Sequence, residues 1–235
     1  MIKLRKSSER GSGDQGWLLS RSTFSFGEYY NCECMGLGPL RVINEDWVKP
    51  GMGFGMHDHQ DVEILTWMMS GAMLHEDDLG NSQILQAGDL QRMTAGTGIR
   101  HNERNPSPQA RSHFIQIWLT PARKGLPPSY EYRHFPTSVL RNTLHPVAGF
   151  HPREGVLTLN VDASIRIGRL DENREISHVV APGRNVWVQV TLGRLQINDQ
   201  PMCQGDGAAV CQPEHLNIKA GSTAEVLLFD LPEQG

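Results

Sequence analysis

No part of the 235-residue sequence approaches the roughly 18 consecutive apolar positions that a bilayer-spanning helix needs. The opening stretch, Met-Ile-Lys-Leu-Arg-Lys-Ser-Ser-Glu-Arg, carries basic residues with no apolar segment behind them, so it does not read as a secretory signal. Runs of Lys or Arg are missing as well. With 22 basic against 26 acidic residues and a formal net charge of −4, nothing offers a footprint for direct nucleic-acid contact or for an anionic membrane surface. Cysteine is scarce: Cys32, Cys34, Cys203 and Cys211. The Cys-x-Cys at 32–34 lacks the Cys-x-x-Cys spacing of a zinc site, and its possible partners are distant. Reduced thiols and a cytoplasmic address are therefore expected. A sustained 3.6-residue apolar period is also absent, which leaves little room for helix.

What the sequence has instead is turn chemistry and short strands. Its 24 glycines and 14 prolines suit a turn-rich β protein. Short runs such as Leu40 to Asn44, Glu63 to Met69, Ala72 to Glu76, Ser82 to Gln86, Leu90 to Thr94 and Ser112 to Thr120 read as strands, separated by Gly, Asp and Asn turns. Residues 1–16 read as a polar tail or cover over the sheet, and Phe24 and Phe26 as one face of a short half-buried strand. Four prolines, Pro121, Pro127, Pro128 and Pro136, resist both helix and central strand. The domain boundary is placed among them, giving residues 1–125 and 126–235. The second part repeats the grammar of the first. The strand–Gly–strand of 185–198 parallels Glu63 to Glu76, with Gly193 in the place of Gly71, and Gln204-Gly-Asp parallels Ala87-Gly-Asp. Two similar copies of this kind indicate an all-β protein built as a pair of barrels or sandwiches.

Two segments carry chemistry. Pro50-Gly-Met-Gly-Phe-Gly-Met-His-Asp-His places His57 and His59 two residues apart, and Gly96-Thr-Gly-Ile-Arg-His-Asn-Glu does the same for His101 and Glu103. On an extended strand such residues share a face. Adjacent strands would aim three imidazoles and a carboxylate at one point, a plausible first shell for a divalent transition metal with positions left for substrate or dioxygen. Taken singly, either pair would pass for turn residues; it is the repetition of the geometry behind two Gly-rich approaches that favours a metal. The second copy offers only His178-Val-Val-Ala-Pro-Gly and nothing like His-x-Glu near Gln212 to His215, so no metal is expected there. His113 shares strand parity with Ile115 and Ile117 and is expected to face the barrel interior as a hydrogen-bonded histidine that could line the pocket. No Gly-x-Gly-x-x-Gly followed by a helix and no defensible Ser-His-Asp order exists.

Thr23-Phe-Ser-Phe-Gly, Leu40-Arg-Val-Ile-Asn, the first histidine segment at 50–59, Glu63-Ile-Leu-Thr, Ala95-Gly-Thr-Gly-Ile-Arg-His-Asn-Glu and Gln116-Ile-Trp, in this order, resemble the pirin family within the two-domain cupins. The resemblance implies two double-stranded β-helix barrels with the metal in the first. It implies His57, His59, His101 and Glu103 as ligands, with Glu103 also the catalytic base. The general cupin pattern would instead take Glu63 as the carboxylate; strand parity with His101 favours Glu103, leaving Glu63 as an acceptor that orients a ligand imidazole. Asp58 stands where pirins commonly have proline. For bacterial members the family implies quercetin 2,3-dioxygenase activity, in which a flavonol and O2 give a depside and carbon monoxide. The expected cofactor is one divalent metal per chain, Fe2+, with Zn, Ni, Cu or Mn acquired on isolation. The expected state is a monomer acting on a small aromatic substrate. The alternative the resemblance leaves open is a non-enzymatic, iron-dependent regulator with a protein partner.

Overall fold

A computed structural model of the chain describes residues 2–212 and 214–233. Its strands, in chain order, begin with β1 (Ile2–Arg5), β2 (Gly11–Asp14), β3 (Leu18–Ser22), β4 (Leu40–Val48), β5 (Gly53–His59) and β6 (Glu63–Ser70). They continue with β7 (Ala72–Asp77), β8 (Ser82–Gln86), β9 (Asp89–Thr94), β10 (Ile99–Arg104), β11 (Ser112–Leu119) and β12 (Ser129–His134). After the four-residue helix α1 (Thr137–Leu140) come β13 (His145–Gly149), β14 (Leu157–Thr158), β15 (Ser164–Leu170), β16 (Glu175–Val180) and β17 (Arg184–Leu192). The last are β18 (Arg194–Ile197), β19 (Gln200–Cys203), β20 (Gly207–Val210), β21 (Glu214–Ala220) and β22 (Ala224–Pro232). The expected all-β bicupin architecture is what forms.

Each half is a seven-stranded sheet facing a four-stranded one. The first half orders β12-β9-β6-β11-β4-β3-β2 against β5-β10-β7-β8. The second orders β1-β20-β17-β22-β15-β13-β14 against β16-β21-β18-β19. The two orders superimpose strand for strand over most of their length, so the repeat seen in sequence is a repeat of topology. Gly71 and Gly193 make the same tight turn in each copy, both at positive φ and both against a backbone oxygen, Arg111 O and Thr223 O, where a Cβ could not fit.

Contacts separate the chain into one unit of Gly11–Gly36 and Leu40–His134 and another of Met1–Arg10, Leu37–Pro39 and Phe135–Gly235. This differs from a boundary at 125/126 in two ways. Ser129–His134 is a strand although prolines flank it, because it lies at a sheet edge and pairs only with β9, which leaves Pro127, Pro128 and Pro136 outside the ladder. The stretch read as a tail is also ordered. β1 pairs along its whole length with β20, and β2 pairs with β3. Ser7 N–H and Lys6 Nζ both donate to the Asp206 carboxylate, pinning the first of these segments. The expected strand through Phe24 and Phe26 does not form. Phe24 is buried, while Phe26 closes a turn by bridging to Tyr29.

The two interiors differ in kind. Sixteen buried aliphatic and methionine residues fill the second, among them Val188, Val226, Leu216 and Ile218. Among the described residues, the first holds smaller apolar clusters, one around Met68, Met73 and Phe114, another around Ile64, Met93 and Ile99. Polar side chains occupy the space between them.

Because Ile2 and Leu4 pack on the second core and β1 supplies a full ladder of pairings, deleting residues 2–10 is expected to cost about 2 kcal/mol or more. Chemical denaturation monitored by circular dichroism checks this; an unchanged midpoint would contradict the role given to β1.

Candidate metal centre

β5 and β10 run antiparallel with His101 opposite His57 and Ile99 opposite His59. Alternation then turns His57, His59, His101 and Glu103 to the inner face, while Arg100 and Arg104 stay exposed. A bulge sets Glu103 opposite Phe54. Close approach here depends on Gly53: a Cβ at that position would collide with Glu103 O and the Arg104 backbone. The His57 and His101 ring centroids are 4.4 Å apart, those of His57 and His59 4.8 Å, and those of His59 and His101 5.0 Å. The donor atoms of His57, His59 and His101 converge within 4.8 Å of one another, and those of His75, His101 and Glu103 form a second, overlapping group. His57 and His59 are half-buried at the mouth, and His101 and Glu103 are buried at the floor.

Each buried donor is oriented by a neighbour. His57 Nδ1–H donates to Gly55 O at 2.7 Å, which turns Nε2 inward. Asp77, an acceptor only, accepts from His75 Nε2–H at 3.1 Å, so His75 Nδ1 is the acceptor for His101 Nδ1–H across a long 3.5 Å contact. That leaves His101 Nε2 buried, unprotonated and with no hydrogen-bond partner among the described residues. Such an orphan is what a metal ligand looks like without its ion. Glu103 accepts from Gln91 Nε2 at 2.8 Å on one oxygen and from Gln116 Nε2 at 3.0 Å on the other. The amides are themselves fixed: Tyr130 O–H donates to Gln91 Oε1 and Trp118 Nε1–H donates to Gln116 Oε1.

Electrostatics fit the same picture. Burial, reinforced by the neighbouring imidazoles His101 and His57, lowers His59 to about 4. Burial, with His57 and His75 alongside, lowers His101 to about 3. Both rings are therefore neutral near pH 7 and need lose no proton to bind a cation. Burial alone would raise Asp77, but hydrogen bonds from Asn81 and His75 outweigh it and hold the carboxyl below its usual range. Burial and the Glu103 and Asp77 charges raise Tyr130, which stays a donor. Asp58 points away from the cluster into solvent and pairs with Arg100 opposite at 2.8 Å, so its charge is largely spent at the exposed surface.

Two sequence expectations change. Glu63 is fully buried but faces the other side of β6, where it accepts from Thr94 Oγ1 at 3.2 Å; inward-facing Thr66 bonds Gln91 instead. Glu63 is not among the grouped donors, and the orienting role expected of it at an imidazole falls to His75. His113 does share a face with Ile115 and Ile117, but that face is the outer one. It stacks on Trp47 at 4.5 Å and bonds Glu45, whereas Phe114, Gln116 and Trp118 face inward. His75, Asp77, Gln91 and Tyr130 were missed. His75-x-Asp77 sits at the same i, i+2 spacing as His57 with His59 and His101 with Glu103 and was there to be found. A cavity of about 200 Å3 opens beside the cluster, bounded by His57, His59 and Glu103 and by Phe26, Phe54 and Trp118.

Two cupin barrels, the first with an inward His/Glu cluster compatible with a single divalent metal and the second filled with hydrocarbon, define a metal-binding bicupin. The chain belongs to the pirin family: the Pirin family model matches residues 3–119, and the model for the quercetinase C-terminal cupin domain matches residues 147–231. It is 43% identical over 233 residues to a quercetin 2,3-dioxygenase of Escherichia coli strain K12, covering 99% of both chains. It is 34% identical to a pirin-like protein of Caulobacter vibrioides, covering 98% of this chain and 99% of that one. Among solved structures, Escherichia coli YhhW superposes with TM-score 0.96 at 43% identity, covering 100% of this chain and 99% of that one. Bacterial pirin YhhW in complex with nickel(II) superposes with TM-score 0.95 at 42% identity, covering 100% of both.

His75→Phe keeps the ring that stacks on Tyr130 at 4.3 Å but cannot accept from His101. Ni2+ affinity, measured by competition with a chromogenic chelator, is expected to fall about 10- to 100-fold, the usual cost of losing a partner that orients a ligand.

Proposed function

We propose that the protein is a metal-dependent dioxygenase that cleaves a flavonol, with His57, His59, His101 and Glu103 holding one divalent metal, Fe2+ in its working form. Full-length similarity to proteins named quercetin 2,3-dioxygenase supports the enzyme class, and the likeness to a nickel(II)-bound pirin supports a divalent site. The observation that carries the ligand assignment is the buried, unpartnered Nε2 of His101, the residue shared by a donor group with His57 and His59 and one with His75 and Glu103. A redox-active divalent ion held there would supply Lewis acidity toward a substrate hydroxyl and a route to dioxygen.

The chain's own residues have defined tasks in this reading. Phe26, Phe54 and Trp118 form apolar walls for a flat aromatic ring and keep bulk water from the reacting carbons. Glu103 takes the proton of the substrate's 3-hydroxyl as general base. Gln91 and Gln116 hold its carboxylate in place throughout, one donating to each oxygen. The flavonol gains both atoms of O2 and loses one ring carbon as carbon monoxide, leaving a depside.

The site predicts one metal per chain. His101→Ala and Glu103→Ala are each expected to lower occupancy sharply on elemental analysis, and His178→Ala in the second barrel to leave it unchanged. Near-full occupancy in both of the first two variants would refute the ligand set.

Turnover tests the reaction. Oxygen uptake, loss of quercetin absorbance and carbon monoxide release are expected at equal molar rates with Fe2+, to stop together on chelation, and to be absent with Zn2+. Glu103→Gln is expected to retain metal but lose about 10²- to 10⁴-fold in rate, the usual worth of a general base. Carbon monoxide no faster than a free-metal control would overturn flavonol cleavage and favour the regulatory alternative.

A further inference from the structure

The wall of the cavity across from the imidazoles is polar, and neither the cluster nor the proposed chemistry uses it. β4 alternates, so Asn44, Asp46 and Val48 point inward while Glu45 and Trp47 point out toward His113. Asn44 and Asp46 line the same cavity as His57, His59 and Glu103, and each is 3% exposed. Asn44 sits directly opposite Gln116 on one side and Ser22 on the other. Gln116 does not bond it: its Nε2 donates to Glu103, and its Oε1 accepts from Trp118. Asn44 Oδ1 is left buried with no hydrogen-bond partner among the described residues. An amide oxygen stripped of water without compensation costs free energy that a ligand donor would recover.

The cavity is about 200 Å3, below the roughly 300–1,000 Å3 of pockets that enclose a whole drug-sized ligand. It takes one end of a flat molecule, between the edges of Phe54 and Trp118. At that end the protein presents the Asn44 amide, whose unpartnered oxygen accepts, so the complementary group is a donor such as a phenolic hydroxyl. A bare hydrocarbon ring would leave Asn44 Oδ1 buried and unpaired.

We propose that Asn44 is a specificity determinant that selects substrates bearing hydroxyl groups on the aromatic ring remote from the metal-binding donors. The site thereby takes polyhydroxylated aromatics in preference to equally flat unsubstituted ones. The inference rests on the aromatic dioxygenase reading for its orientation of the substrate, with the reacting hydroxyl toward Glu103.

Quercetin and 3-hydroxyflavone separate the two ideas, because they share the reacting hydroxyl and differ in their other hydroxyls. Binding to the Ni2+-loaded protein is followed by quenching of tryptophan fluorescence, and turnover of the Fe2+ protein is measured in parallel. The wild type is expected to bind quercetin about tenfold or more tightly than 3-hydroxyflavone, in line with rejection of an analogue that leaves a buried acceptor unpaired. Asn44→Leu removes the acceptor at similar size; the preference is expected to vanish, with quercetin weakened and 3-hydroxyflavone unchanged or tighter. Asn44→Asp keeps an oxygen in place and is expected to keep the preference. A merely structural Asn44 would weaken both ligands alike. Equal binding of the two by the wild type, or a preference that survives Asn44→Leu, overturns the proposal. A preference that Asn44→Leu abolishes, without turnover of either flavonol, sinks flavonol cleavage and upholds recognition of hydroxylated aromatics.

Discussion

Removal of polar donors from water inside a β-barrel is the constraint on which the first half of this protein depends. Burying a polar side chain without compensation costs a few kcal/mol, about as much as a well-packed apolar residue returns. The first barrel meets that cost by giving nearly every inward polar atom a partner on a neighbouring strand. His57 turns on Gly55 O, His101 on His75 and Asp77, and Glu103 on Gln91 and Gln116. Apolar clusters on the same strands hold them at their spacing. Among the atoms that stay unsatisfied, His101 Nε2 and Asn44 Oδ1 lie at the cluster and along the cavity beside it.

The second barrel works as an internal control. It has the same strand order, the same Gly turn and the same β-edge closure, made by β1 where the first barrel uses β12. Yet the strands corresponding to β5 and β10, namely β16 and β21, contribute Ile176, Val180, Leu216 and Ile218 to a continuous apolar core. The frame is therefore indifferent to chemistry. A metal-compatible interior arises from changing residues at inward parity positions, and it requires coordinated changes on several strands, because a lone imidazole in hydrocarbon would be an uncompensated loss.

Neutral imidazoles are a second consequence of burial. The fall of His59 and His101 to about 4 and 3 comes first from desolvation and then from crowding of like groups. The crowding that penalises a proton is the same crowding that suits a single divalent cation, which replaces several competing protons with one shared charge. Asp58, so close in sequence, has little part in this: it is outside, in water, beside Arg100.

The local order of the chain was written in the sequence. Period-two alternation, Gly and Asp turns and the repeat of strand–Gly–strand determined an all-β bicupin. The i, i+2 spacing of His57 with His59 and of His101 with Glu103 determined that each pair shares a face. Spacing along one strand says nothing about which face is inside, and that limit accounts for the misreadings. His113 and Glu63 have regular strand parity but belong to outer faces, and only the stacking of one sheet on the other decides this. The same holds for His75, Asp77, Gln91, Gln116 and Asn44, which come from β7, β9, β11 and β4 and meet only through cross-strand register. β1 joins β20 across some 200 residues of chain, a pairing that no local signal encodes. Backbone geometry is local and so legible residue by residue; desolvation and hydrogen-bond partnership belong to the packed interior, and the tertiary structure alone assigns them.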